Sequence, residues 1–334
     1  MGCQKRKLGI ALLGLGQYAT EWLGPALRKT ELCSLVGVIT GNAEKAKEWS
    51  IAYHLAPQNL YDYDEFDDVA TNEEIDVVYV VTPPALHVDF VIRAANAGKH
   101  VICEKPMATT VVDCDRMIAA CRAAKVQLGI GYRLHFDPYH REMARLSHNE
   151  ELGPFTKITG AFSVVLDQRG FRTNVALGGG PLLDTGIYPL HSACVVAHAN
   201  PSHVTAFRGP KLKPTLFDEV EESISWSMEF PNGARCDATA SFNQEQNYFR
   251  IEGDKGWVEL KPAFSAERIF GATSQGVLNH PPVNQQALLM DDFADCIRTG
   301  RQSTVPGELG RRDIQIISSI YESADSGKRV RIPY

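Results

Sequence analysis

The sequence is poor in the patterns that staple or metallate a fold. Eight cysteines (Cys3, Cys33, Cys103, Cys114, Cys121, Cys194, Cys236 and Cys296) are scattered through 334 residues with no C-x-x-C pair and no regular spacing. That excludes a disulfide framework and a zinc ribbon, and fits reduced thiols in the cytoplasm. The ten histidines form no H-E-x-x-H, and Pro138 separates His135 from His140, so they do not share a helical face and no metal site is expected. A basic surplus is missing as well. With 34 Lys and Arg against 40 Asp and Glu, a net charge of −6, no cationic face can neutralise a phosphate backbone, and nucleic acid is not an expected partner. Nor is a membrane. The basic start Lys5-Arg6-Lys7 precedes an apolar run over 8–15, the order found in signal peptides, but Gly14-x-Gly16 makes that run read as a first strand. Internal repeats and low-complexity linkers are also absent.

What remains is an ordinary globular composition, 44% hydrophobic and 22% charged, at a length that suits two domains of roughly 100–200 residues each. From Lys7 to Gly131, β-branched runs at 8–13, 35–39, 77–81, 101–103 and 126–130 alternate with amphipathic stretches at 18–29, 43–53, 86–97 and 111–125. The runs are apolar on both faces, as in strands covered by helices on two sides, so residues 1–130 are predicted to form a doubly wound parallel sheet. Beyond 131 the pattern changes to alternating runs at 156–162, 204–207, 223–230, 234–242, 249–252 and 256–260, with turn signals such as Pro231-Asn232-Gly233 and Gly253-Asp254. A second domain, 131–334, is therefore predicted around a large, open, mostly antiparallel sheet. One helix is expected over 181–199, and two closing helices over 284–299 and 309–324, each followed by glycine (Gly300, Gly327). The broad sheet face would need cover, which suggests a homodimer or homotetramer.

Gly14-Leu15-Gly16-Gln17-Tyr18-Ala19 lies between the first predicted strand and helix. In that setting Gly14 makes the turn, Gly16 lets backbone approach a pyrophosphate, Ala19 allows close packing, and the helix N-terminus favours the anion. Where an NAD site places an acid after the second strand, this chain has Thr40-Gly41-Asn42, with Lys45 beyond. Without a carboxylate to repel a 2′-phosphate and with a lysine to attract it, NADP is favoured, although Lys45 also suits a solvated helix face. Thr82-Pro83-Pro84-Ala85-Leu86-His87 follows the 77–81 run and so falls at the carboxyl edge of the sheet. It fits a wall of the nicotinamide pocket or a plain strand-to-helix turn.

Cys103-Glu104-Lys105-Pro106 ends the 101–103 run at the same edge. Pro106 restricts the backbone of Lys105, and a fixed ammonium can hold a sugar oxygen or favour ionisation of a nearby acid, although Lys105 read alone also suits an ordinary surface lysine. In Gly178-Gly179-Gly180-Pro181 through His191, a helix opened by Pro181 would place Asp184, Tyr188 and His191 at i, i+4 and i+7 on one face. That trio suits chemistry. The plainer alternative is an Asp that stabilises the helix dipole and a Tyr that covers its flank.

On these motifs, together with Gly41-Asn42-Ala43-Glu44-Lys45, Tyr61-Asp62-Tyr63, Gly98-Lys99-His100-Val101, Ile130-Gly131-Tyr132-Arg133, Asp137-Pro138 and Asp184-x-Gly186-Ile187-Tyr188, the chain resembles the glucose-fructose oxidoreductase, inositol dehydrogenase and rhizopine-catabolism family, most of all its glucose-fructose oxidoreductase branch. The resemblance implies a Rossmann domain, Lys105 as the catalytic lysine, and Tyr188 in place of the usual histidine as proton donor and acceptor, with Lys105 favouring loss of its proton. It implies that Asp184 binds the sugar and that Thr40, Lys45 and Tyr63 grip the 2′-phosphate. Gly14, Leu15, Gly16, Gln17, Tyr18, Gly41, Asn42, Thr82, Pro83, His87, Glu104 and Arg133 complete the expected cofactor set. Arg172 stands where the branch has a tryptophan and arginine cluster, and His191 where it has an asparagine, so both are counted as substrate residues. The implied activity is oxidation of a cyclic aldose to its lactone with NADP, which could remain bound and reduce a second sugar. The rivals are a dissociable xylose, glucose or trans-dihydrodiol dehydrogenase and a sensor, which would need neither Lys105 nor Tyr188. The export peptide and arm of periplasmic members are not seen in this sequence. The cytoplasm is the expected location, or the periplasm if a leader has been removed.

Overall fold

The computed structural model describes residues 6–149 and 151–334, so Cys3 and Lys5 lie outside the described residues. By its internal contacts the chain divides into two compact units. The first runs to His135 and takes in Asn284–Arg311, and the second comprises Phe136–Val283 and Arg312–Tyr334. Whereas the sequence places one boundary at 130/131, the helix Gln285–Thr299 belongs to the first unit for a physical reason. It buries Leu289, Met290 and Phe293, with Phe293 against Gly129. Its Asp291 accepts the N–H groups of Glu31 and Leu32 at 2.9 and 2.8 Å.

The first unit is built on β1 (Leu8–Leu13), β2 (Cys33–Ile39), β3 (Leu60–Tyr61), β4 (Val77–Val80), β5 (His100–Cys103) and β6 (Leu128–Ile130). All pairs are parallel, in the order β3-β2-β1-β4-β5-β6, the doubly wound dinucleotide-binding arrangement. Central β1 and β4 are buried on both faces, which is why their sequences read as continuous apolar runs. Their register aligns Leu13 with Val80 and Val80 with Cys103. The carboxyl ends of β1, β4 and β5 therefore release Gly14, Val81 and Glu104 along one edge. The ladder continues there through Val81 N to Leu13 O at 2.8 Å and Glu104 N to Val80 O at 3.0 Å.

The second unit contains β7 (Phe155–Ser163), β8 (His203–Arg208), β9 (Ser223–Glu229), β10 (Arg235–Ser241), β11 (Gln246–Gly253), β12 (Gly256–Leu260), β13 (Gly271–Thr273), β14 (Gly276–Leu278) and β15 (Val330–Arg331). Their order is β14-β13-β12-β11-β7-β10-β9-β8-β15, antiparallel except for the pair β7 and β10. The 181–199 stretch is not one regular helix. A π-helical turn, Leu182–Gly186, leads into the α-helix Ile187–Ala197. Two glycines bring it close to the sheet: a Cβ on Gly186 would stand 3.1 Å from Ala240 and Trp226, and one on Gly160 of β7 would stand 3.1 Å from Pro189. The paired positions Ser225, Ser227, Asp237, Thr239, Thr159 and Arg250 occupy the other face. Phe207, paired with Ser225 and 63% exposed, adds apolar area to that mostly polar face.

Helix ends follow the expected chemistry. Gly300 and Gly327 are left-handed (φ 73° and 66°) after the two closing helices, and Asn284 Oδ1 accepts Ala287 N at 2.8 Å. Asn284→Ala removes that cap and is expected to cost about 1 kcal/mol, read as a lower urea midpoint for the first unit. An unchanged midpoint would show that the cap does not hold the helix.

Candidate active site

The first unit carries the residues expected at the dinucleotide. Gly14 has φ +94°, and a Cβ there would stand 2.8 Å from Val81 O, so only glycine fits the turn. At Gly16 a Cβ would meet nothing within 4 Å, leaving a flat approach to the backbone open. Leu15 is buried, Gln17 Nε2 donates to Glu21 at 2.9 Å, and Gln286 Nε2 donates to the Tyr18 hydroxyl at 3.4 Å. Asn42 caps the helix Ala43–Tyr53, its Oδ1 taking Lys45 N at 3.0 Å.

The residues expected at the 2′-phosphate meet at the end of β2. Thr40 Oγ1 accepts Asn42 N at 3.3 Å, and the Tyr63 ring lies 3.2 Å from where a Cβ on Gly41 would stand. Lys45 does not simply solvate the helix face. Its Nζ folds back to donate to Leu15 O at 3.2 Å, on the glycine turn. Burial pushes the Tyr63 phenol upward, offset in part by a hydrogen bond with Thr40, so it remains a hydroxyl able to donate to an anion. An open Gly16 and a hydroxyl, lysine and phenol with no carboxylate among them fit a phosphorylated dinucleotide.

Glu104 and His87 sit differently from the way the motifs suggest. Glu104 is 7% exposed. Its Oε1 accepts the Tyr79 hydroxyl at 2.8 Å and its Oε2 accepts Lys105 N at 3.1 Å. A Cβ on Gly131 would stand 2.6 Å from that carboxylate, which explains the glycine. Burial raises the Glu104 pKa, opposed first by the charge of Lys105. His87, expected in the nicotinamide wall with Thr82 and Pro83, is fully buried. Its Nε2 lies 2.8 Å from Thr82 O, and its Nδ1 lies 3.1 and 3.3 Å from Pro106 O and Met107 O. It lies between the Thr82 loop and the Lys105 loop, and as a neutral ring its single N–H donates to a carbonyl of one of them. Arg133 is likewise buried, with its guanidinium on Gln285.

The second unit carries Arg172, Asp184, Tyr188 and His191. Asp184 in the π turn accepts Arg172 Nε at 2.7 Å, and the Arg172 guanidinium lies 4.8 Å over the Phe171 ring. Gly179 and Gly180 bring the Arg172 segment in, with Gly180 N donating to Arg172 O at 2.9 Å. Half-buried Tyr188 packs against Phe162 and Phe264, with centroids 5.2 and 5.7 Å away. His191 does not share the half-exposed setting of Asp184 and Tyr188. Three residues past Tyr188 the α-helix has not completed a turn, and His191 falls on the buried side, 6% exposed. There its Nδ1 meets Asp313 Oδ2 at 2.5 Å, while Arg312 holds Asp313 Oδ1 at 2.7 and 2.9 Å. Sequence reasoning did not find Asp313, Arg312, Phe162 or Phe264, because nothing in their spacing separates them from core or surface residues.

Residues 8–132 match the oxidoreductase family with an NAD-binding Rossmann fold, and residues 140–259 match the GFO/IDH/MocA C-terminal domain. The chain belongs to the GFO/IDH/MocA oxidoreductase family. It is 30% identical over 337 residues to the NADP+ D-xylose 1-dehydrogenase of Haloarcula marismortui, covering 97% of this chain and 92% of that protein. It is 28% identical over 229 residues to trans-1,2-dihydrobenzene-1,2-diol dehydrogenase of Xenopus tropicalis, covering 68% and 66%. The crystal structure of aldose-aldose oxidoreductase from Caulobacter crescentus superposes with a TM-score of 0.95 at 37% identity, covering 98% and 100%. Within this family the chain is an oxidoreductase.

Burial holds His87 below the ordinary histidine value of 6.5. The native state then refuses a proton that the unfolded chain accepts, so stability is lost as pH falls below that value. His87→Gln is expected to lose less stability than wild type between about pH 7.5 and 5.5, measured as urea midpoints. Equal losses would show that His87 is not held neutral.

Proposed function

We propose that this oxidoreductase uses NADP(H) and oxidises a cyclic aldose at C1 to its lactone. The observation that carries the reading is the chemistry of its two halves. In one, Lys105 leaves the same sheet edge as a glycine turn beside which stand the Thr40 hydroxyl, Lys45 and the Tyr63 phenol. In the other, the Tyr188 phenol follows the Asp184–Arg172 pair by one helical turn. Similarity to the NADP+ xylose dehydrogenase and the aldose-aldose oxidoreductase supports both the cofactor and the substrate class.

Thr40, Lys45 and Tyr63 would hold the 2′-phosphate, and Gly14 to Tyr18 the pyrophosphate. NADP+, when bound, would supply the acceptor for the C1 hydride. Tyr188 takes the proton of the anomeric hydroxyl, and the Lys105 ammonium stabilises the phenolate. Asp184, aligned by Arg172, accepts hydrogen bonds from sugar hydroxyls. In reverse, Tyr188 returns its proton to a carbonyl oxygen. NADP that stays bound would let a second sugar be reduced in the same site. Release of NADPH after each turnover is the second reading, favoured by the likeness to the xylose and dihydrodiol dehydrogenases. We further propose a homodimer or homotetramer through the open face of the sheet, which carries Ser225, Thr239 and the exposed Phe207. No described helix is long and apolar enough to cross a membrane. The seven described cysteines are buried free thiols, which suits a reducing compartment such as the cytoplasm.

Tyr188→Phe is expected to lower kcat by about a hundred- to ten-thousand-fold while leaving the Kd for NADP unchanged; near-normal turnover would remove Tyr188 from the mechanism. Lys45→Ala is expected to weaken NADP about ten- to hundred-fold and NAD hardly at all, measured by fluorescence titration. Equal effects on both would place Lys45 away from the 2′-phosphate.

A further inference from the structure

One carboxylate in the second unit takes no part in the chemistry above and is buried nonetheless. Glu221, two residues before β9, is 7% exposed, and glutamates are seldom buried unless their oxygens are engaged. Tyr321 donates its hydroxyl to Oε1 at 2.9 Å, and Leu182 N reaches the same oxygen at 3.4 Å. A Cβ on Gly180 would stand 3.1 and 3.2 Å from the two carboxylate oxygens and 3.2 Å from the Tyr321 hydroxyl. The last glycine of the Gly178-Gly179-Gly180 run, at φ +112°, is therefore what lets the turn close onto this pair. Gly180 in turn carries Asp184, whose N–H donates to Gly180 O at 3.1 Å. The Arg208 guanidinium, 5.7 Å over the Tyr321 ring, supports the far side.

The next residue acts on the neighbouring loop. Glu222 is fully buried and its Oε2 accepts Leu212 N and Lys213 N at 2.5 and 2.9 Å. Lys213 Nζ donates to Leu166 O at 3.2 Å, and Val175 N donates to Glu219 Oε2 at 3.1 Å. The stretch before β9 thus holds both the turn that carries Asp184 and the segment that carries Arg172.

We infer that Glu221 is a positioning residue for Asp184 and Tyr188: with Tyr321 it clamps Gly180 and the first turn of the helical stretch, and so sets where the carboxylate and phenol meet the substrate. The inference rests on the proposed function only in taking Asp184 and Tyr188 to face the sugar. The clamp works through shape and hydrogen bonding, and glutamine can replace both.

Glu221→Ala, Glu221→Gln and Tyr321→Phe are to be compared with wild type in two assays. The first is amide hydrogen exchange over residues 181–188, which needs no substrate. Exchange is expected to rise about tenfold in Glu221→Ala, less in Tyr321→Phe, and little in Glu221→Gln. The second is steady-state oxidation of an aldose, with KM raised about tenfold in Glu221→Ala, largely restored in Glu221→Gln, and the Kd for NADP unchanged throughout. Wild-type exchange in Glu221→Ala, or a Glu221→Gln as impaired as Glu221→Ala, would overturn the inference. If Glu221→Ala does not fold, Tyr321→Phe decides by the same exchange. If wild type oxidises no aldose, the sugar reading falls while the exchange result still judges Glu221.

Discussion

The cofactor half depends on burying Glu104 directly before Lys105. A carboxylate removed from water is costly unless its charge is met and its oxygens are hydrogen-bonded. Here the Tyr79 hydroxyl, the Lys105 N–H and the neighbouring Lys105 charge meet that need. Much of the local sequence follows from this. Tyr79 must come from β4, beside β5. Gly131 must lack a side chain, because a Cβ would stand 2.6 Å from the carboxylate. His87 then packs against the outer side of the same loop, its ring nitrogens beside Pro106 O and Met107 O and, on the loop after β4, Thr82 O. The lysine thus emerges from backbone held on both sides, as the role proposed for it requires.

The second half uses a different device. A run of glycines allows close backbone approach: Gly179 and Gly180 draw the Arg172 segment in, and Gly180 settles on Glu221 and Tyr321. The π turn that follows carries Asp184, and the first turn of the regular helix carries Tyr188. Aromatic packing by Phe162 and Phe264 fixes the phenol ring. Glycine at 186 lets the helix lie on Trp226 and Ala240 of the sheet. The proposed substrate residues Asp184 and Tyr188 are placed by close backbone packing together with the Arg172 and Glu221 side-chain contacts.

Much of this could be read from the residues. Strands buried on two faces announce themselves as apolar runs, and β1, β4 and β5 lie where those runs lie. β3 escaped notice because two residues show no periodicity, and β13 to β15 are too short to stand out. The return of Gln285–Thr299 to the first unit depends on tertiary packing that its amphipathic pattern does not specify. Within the site, Gly14 was legible because its turn needs a positive φ, whereas Lys45, Asp184 and Tyr188 were singled out by charge, helical spacing and the family resemblance. His87 and His191 were legible as chemically capable but not as buried. A sequence does not show that Pro106 O or Asp313 will claim a ring nitrogen. Glu221 left no signal, since an acid in an acidic stretch reads as surface.

The absorbance spectrum of the purified protein before and after adding a single aldose tests the proposed passage of hydride from aldose to NADP most directly. The reading predicts that the reduced-nicotinamide band grows on addition of the aldose, with bound or supplied NADP+, and is lost in Tyr188→Phe. A spectrum that no aldose changes, with NADP+ present, would contradict it.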